Sequence, residues 1–169
     1  MGESFKSKMK LYEANALAEQ LTLDLMRAGM TRVEVCGSVR RQKPEVGDLD
    51  IVVAGDITQL KLPEHAHRWR YADGGIHKCT LEYDGRQVNI LRADESPEYG
   101  NWGAAILYFT GSSTFNLIMR RKAKKRGLKL NEYGLWTVPP YNGWLAGTTE
   151  EGIFTALEMA FVPPTSRSK

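Results

Sequence analysis

The sequence predicts an α+β chain, with a mixed, largely antiparallel sheet over about residues 1–109 and a small helical unit over about 110–169. Three observations predict it. Before Gly29 the apolar residues recur at three- and four-residue steps. Between 33 and 92 they fall in short runs broken by Gly and Asp-Gly turns. Beyond Trp102 helical spacing returns.

Residues 1–9 are polar and expected to be loose. From Lys10 to Ala28, Leu11, Ala14, Leu17, Ala18, Leu21, Leu25 and Ala28 form the stripe of an amphipathic packing helix that ends at Gly29. Strands Val33–Cys36 and Leu49–Val53 follow, then a Gly55-Asp56 turn. His65 and His67 lie in the mixed stretch 56–75, with no third ligand spaced to join them. Asp84-Gly85 is a two-residue hairpin turn between His77–Tyr83 and Arg86–Arg92. Pairing outward from it sets Tyr83 opposite Arg86, Glu82 opposite Gln87 and Thr80 opposite Asn89. Leu81, Val88 and Ile90 then make the buried side, and Glu82, Gln87 and Asn89 share the other face.

After the polar loop 93–101, Trp102–Phe109 reads as an apolar helix. The hydroxyls of Thr110-Gly111-Ser112-Ser113 cap the next helix, about Thr114–Arg126. Its packing stripe is Phe115, Ile118, Met119 and Ala123, which leaves Arg120, Arg121, Lys122, Lys124, Lys125 and Arg126 on the exposed face. Between Phe115 and Leu130 there are seven cations and no acid. Helices that merely face water alternate their signs, so this run points to a polyanion. The chain ends with a hairpin (130–138), a Pro-Gly-rich loop (139–147), a helix of about Thr149–Met159, and a basic tail after Pro163-Pro164.

The composition is that of an ordinary globular chain, 42% hydrophobic and 25% charged, and a net charge of +3 decides nothing about partners. Cys36 and Cys79 read as free buried thiols. With no signal peptide and no apolar run of about 18 residues, the expected location is intracellular (cytoplasm of a bacterial or virus-infected cell, or nucleoid), with no membrane partner.

The chemistry concentrates in Cys36-Gly37-Ser38-Val39-Arg40-Arg41 and Gly47-Asp48-Leu49-Asp50. Two residues apart on extended backbone, Asp48 and Asp50 point the same way and repel unless a cation lies between them. Hard divalent ions suit such a pair, because Mg²⁺ is held by one or two carboxylates together with substrate phosphates. Just ahead of it, the Gly37 and Ser38 amides, the Ser38 hydroxyl and the Arg41 guanidinium supply phosphate donors. Phosphate donors leading into a carboxylate pair describe a nucleotidyl-transfer site.

This segment resembles the Gly-Ser…Gly-x-Asp-x-Asp signature of nucleotidyltransferases, in the form used by family X DNA polymerases. Tyr108-Phe109-Thr110-Gly111-Ser112, with Phe115-Asn116, Met119-Arg120 and Leu130-Asn131-Glu132-Tyr133, resembles the palm-to-thumb junction of the same family. The likeness runs from about residue 8 to the end, weakest in 55–75 and 137–148. In lacking a lyase domain and most of the fingers the chain resembles the minimal palm-plus-thumb members.

The resemblance implies a palm (1–109) and a thumb (110–169), and a two-metal, template-directed addition of dNTPs to a primer end, in short gaps. The partners would be primer-template or gapped DNA and a dNTP, the protein a monomer, and the cofactor two Mg²⁺ ions, replaceable by Mn²⁺. Gly37, Ser38, Arg41 and Gly47 would cradle the triphosphate, with Lys8 or Lys10 within reach of it. Asp48 and Asp50 would be the metal ligands. Tyr108 and Phe109 would pack on the sugar, and Gly111-Ser112 would be a cis peptide. Asn116 would face the minor-groove edge of the new base and Arg120 the template, while Arg121, Lys124 and Lys125 hold the duplex. Where the family has its third catalytic carboxylate, this chain has Asn89. Three accounts of Asn89 follow: an engineered Asp→Asn change, a natural non-catalytic DNA- or nucleotide-binding module, or replacement by Glu82. A template-independent nucleotidyltransferase is the further alternative, sharing only the first signature.

Overall fold

A two-residue strand, β1 (Met9–Lys10), leads into the first helix, α1 (Leu11–Arg27), in a computed structural model that describes residues 7–59, 69–74, 77–140 and 143–168. The helix buries Ala14, Ala18, Leu21 and Leu25, the stripe expected from their spacing. Each leucine so buried contributes about 1.5–3 kcal/mol. Gly29, at φ +101°, turns the chain out of the helix, and the Met30 N–H returns to the Leu25 carbonyl at 3.1 Å. His65 and His67 lie outside the described residues.

Next come β2 (Arg32–Val35) and a single helical turn, α2 (Gly37–Arg40), where the sequence suggested only a Gly-Ser turn. A short β3 (Glu45–Val46) pairs antiparallel with β1, a contact that two-residue strands give no periodicity to reveal. The strands β4 (Leu49–Ala54), β5 (Trp69–Gly74), β6 (Lys78–Tyr83) and β7 (Arg86–Arg92) complete a five-stranded sheet in the order β2-β4-β7-β6-β5. Only β4 and β7 run parallel in it. The hairpin register is the one that the Asp84-Gly85 turn dictates, with Tyr83 opposite Arg86 and Thr80 opposite Asn89. One face of the sheet packs Leu49, Ile51, Leu81, Tyr83, Val88 and Ile90 against α1. Buried Tyr83 donates its hydroxyl to Asp24 on that helix at 2.7 Å.

By compactness the chain divides into Met1–Arg92 and a second unit, Ala93–Lys169, which includes the apolar helix. That helix, α3 (Trp102–Thr110), is buried along almost its whole length and shares a core with α4 (Ser113–Lys125) and α5 (Glu150–Ala156). A helix apolar all round belongs to whichever core can enclose it. Ser112 caps α4 as expected, its hydroxyl accepting from the Phe115 N–H at 3.3 Å, and Thr149 caps α5 in the same way.

Three expectations for this unit need correction. The stripe of α4 is Phe115, Met119 and Ala123 alone; Ile118 is 39% exposed, because strict four-residue steps leave room for a narrow seam only. The hairpin β8 (Leu128–Asn131) and β9 (Gly134–Thr137) gains a third strand, β10 (Trp144–Ala146), within the stretch read as a loop. And the tail is not a loose basic end: Pro164–Ser166 makes a 3₁₀ turn that delivers Arg167 to the core, fully buried. There its guanidinium donates to Glu150 Oε1 at 2.6 Å and to the Val162 carbonyl at 2.8 Å, ringed by Phe115, Phe154 and Phe161. No helix among the described residues is long and apolar enough to cross a membrane.

Removing one partner of a buried ion pair strands the other. Arg167→Ala is therefore expected to cost about 3–5 kcal/mol of stability, read as a lower denaturant midpoint. The paired change Arg167→Met with Glu150→Leu should recover most of the loss.

Candidate active site

Three adjacent strands bring the chemistry together. The parallel register of β4 and β7 sets Asp50 beside Asn89, and the antiparallel register of β7 and β6 sets Asn89 beside Thr80. Residues so paired share a face, here the one opposite the packed core. Asp48 lies one residue ahead of β4 and joins the same group. Asn89 Nδ2 donates to Asp48 Oδ2 at 3.1 Å and to Asp50 Oδ1 at 3.0 Å. Its Oδ1 accepts from Gln87 Nε2 at 3.0 Å and from the Thr80 hydroxyl at 3.3 Å.

The turn α2 lies directly over Asp50. The Cys36 N–H donates to the Asp50 carbonyl at 2.7 Å, and Gly37, at φ +58°, passes so close that any Cβ there would collide with the Asp50 carboxylate. Gly37 and Ser38 open this turn, where backbone N–H groups have no acceptor within the helix. Gly47 is exposed just before the carboxylates.

Burial pushes the Asp50 carboxyl up to about 6. The Asn89 hydrogen bond, Arg41 and Lys78 oppose the rise, and Asp48 adds to it. Arg41 is itself drawn down by burial and held up by Asp50 and Asp48, which places its charge beside the pair. Of the two exposed lysines expected within reach of the triphosphate, Lys10 pairs with Glu45 at 3.4 Å. Among the described residues no three His, Cys, Asp or Glu side chains converge to hold a metal, and Glu82 stands opposite Gln87 in the hairpin. Sequence reasoning missed Thr80 and Gln87 as partners of the site, although the hairpin register already set both around Asn89.

The other predicted residues lie in the second unit. At the end of α3, the Tyr108 and Phe109 rings stack at 6.0 Å, and Gly111, at φ +64°, precedes a cis peptide to Ser112. Asn116 Nδ2 donates to the Tyr108 carbonyl at 2.7 Å. Tyr108, Asn116 and Arg120 line one concavity with Leu107 and Leu130. Arg120, Arg121, Lys122, Lys124 and Lys125 all stand exposed on α4.

A carboxyl whose folded value is raised binds its proton more tightly in the native chain, so the stability it contributes is present at low pH. That stability is lost as pH rises from about 4 to about 6. Without metal, Asp50→Asn should therefore be more stable than the parent by about 3 kcal/mol at pH 7. The two chains should melt nearly together at pH 4.

The family model for the DNA polymerase beta thumb matches residues 105–168. DNA polymerase lambda of Rattus norvegicus is 27% identical over 164 residues, covering 78% of this chain, which spans 28% of that protein's length. Repair DNA polymerase X of African swine fever virus (isolate Warthog/Namibia/Wart80/1980) is 27% identical over 168 residues, covering 89% of this chain and 90% of the viral protein. The isolate Tick/South Africa/Pretoriuskop Pr4/1996 gives the same identity and coverage. With a mixed α+β fold that carries the carboxylate pair, and a thumb match through its C-terminal unit, the chain is similar to family X DNA polymerases.

Proposed function

We propose that this chain binds a primer-template or gapped duplex and a deoxynucleoside triphosphate, and that it is built for templated addition to the primer 3′ end with the chemical step impaired. The observation that carries this reading is the site on β4 and α2. A partly buried carboxylate pair lies under a glycine turn, with a guanidinium alongside. In this reading the Gly37 and Ser38 amides, the Ser38 hydroxyl and Gly47 receive the triphosphate oxygens, and Arg41 offsets their charge. Tyr108, Phe109 and Gly111 flank the sugar. Asn116 reads the minor-groove edge, whose acceptors are common to all base pairs. Arg120 meets the template, and Arg121, Lys124 and Lys125 meet backbone phosphates, so affinity falls steeply with salt.

The side chains fit one divalent ion. Asp48 and Asp50 are hard oxygen donors on one face, and together they balance the charge of one Mg²⁺ or Mn²⁺. Bound there, the ion would supply charge neutralisation to the phosphates. The side chains do not fit a second ion, because Asn89 presents N–H donors to the carboxylates where a third oxygen ligand would be needed. An amide also accepts no proton, so the primer hydroxyl has no base. The same hydrogen bonds favour a second reading, a DNA- and nucleotide-binding module that does not turn over.

Extension of a one-nucleotide gapped duplex decides between them. Asn89→Asp should outpace the parent by about two decades or more, the scale of a general base. If both bind the gap and neither extends, the binding-module reading stands instead. Arg120→Ala should lower base selectivity more than DNA affinity, and equal error rates in parent and variant would refute that role.

A further inference from the structure

Asn89 is held in one orientation by neighbours that contact neither carboxylate. An asparagine amide offers two N–H donors and an oxygen with room for two acceptor bonds. Here all four are used, two toward Asp48 and Asp50, and two from Gln87 and Thr80. Turning the amide over would face its oxygen to two carboxylates and its nitrogen to the Gln87 NH₂. Thr80 could accommodate that reversal by rotating its hydroxyl, but Gln87 could not without turning over as well. The orientation is thus set at both ends, and β6 and β7 supply the far end through the register that sets Thr80 beside Asn89.

We propose that Gln87 and Thr80 are positioning residues that keep the Asn89 nitrogen between the carboxylates, so that it stands in for a cation and restricts the site to one divalent ion. The proposal deepens the nucleotide-binding reading above and rests on it. Charge balance agrees. Two carboxylates neutralise one divalent ion, and without nucleotide a second would bring two uncompensated positive charges to a pair on which the cations Arg41 and Lys78 already act. The amide satisfies both carboxylate oxygens when no metal is bound, which a third carboxylate could not do. Gln87 is the control point, since a glutamate there accepts but does not donate. It would draw the Asn89 nitrogen toward itself and free the oxygen to act as a ligand.

The test counts Mn²⁺ bound per chain by electron paramagnetic resonance, with Mn²⁺ alone and with a non-hydrolysable deoxynucleoside triphosphate. Nitrogen-15 NMR of the Asn89 side-chain amide is recorded alongside. The parent should hold one ion and Asn89→Asp two. Gln87→Glu should take a second ion about tenfold more tightly than the parent, with a shifted Asn89 amide signal. The double variant Gln87→Glu, Asn89→Ala should lose that gain, which separates the freed amide oxygen from the added charge. A merely structural role for Gln87 would lower stability without changing the count. Two equally tight ions in the parent, or a second ion retained in the double variant, would overturn the proposal. If Asn89→Asp does not fold, the parent against Gln87→Glu decides. If no variant binds nucleotide, the functional reading fails, while the counts with Mn²⁺ alone still judge the clamp.

Discussion

Burying the Asp50 carboxylate is the constraint that shapes the sheet unit. A carboxylate leaving water loses several kcal/mol of hydration unless charges or hydrogen bonds replace it, and a second carboxylate beside it makes the cost larger. The replacements come from three separate elements: Asn89 on β7, Arg41 just after α2, and Lys78 at the start of β6. The first of these rests on the register of the parallel β4/β7 pair. A slip of one residue would exchange Asn89 for an apolar neighbour, Val88 or Ile90, and turn the buried face outward. The glycine at 37 follows from the same constraint, because the backbone of α2 closes over the carboxylate with no space for a side chain.

How legible this was depended on the range of each signal. Periodicity delivered α1, and turn chemistry delivered the hairpin to the exact residue pair, because an Asp-Gly turn fixes the register of everything beyond it. The carboxylate pair and the Gly-Ser turn are contiguous in sequence and could be read directly. The parallel partner of β4 could not, since nothing local in Leu49–Ala54 says which later strand will lie beside it. The hairpin register made Thr80 and Gln87 neighbours of Asn89, yet their effect on its orientation depends on side-chain geometry that no register specifies. β10 was missed because three residues in a Pro- and Gly-rich stretch carry no alternation to detect.

Arg167 failed for a different reason. A cation near the end of a chain, after two prolines, has every sequence attribute of a solvated tail. Burial of such a residue requires a specific acid and an apolar ring of matching shape, and these come from α4, α5 and Phe161. The consequence reaches the candidate site residues of that unit. The Arg167 carbonyl accepts both the Ser112 N–H, at 3.1 Å, and the Ser112 hydroxyl, at 2.8 Å, so the tail fixes the turn between α3 and α4. Tyr108 and Asn116 lie on either side of that turn and are joined by their own hydrogen bond.

Asparagine at 89 also has a physical rationale that does not depend on catalysis. With an aspartate there, three carboxylates would meet on one partly buried face, and in the absence of metal at least one would have to take up a proton or lose its place in the sheet. The amide has nearly the same shape, donates to both acids and accepts from two further neighbours, so the whole hydrogen-bonding capacity of Asn89 is met by protein alone. Sites built for catalysis commonly hold unfavourable charge that the fold must offset elsewhere. In the function proposed above, the residue that would remove a catalytic charge is also the one that completes the hydrogen bonding, so a stable metal-free fold and a fast chemical step would make opposite demands on one position.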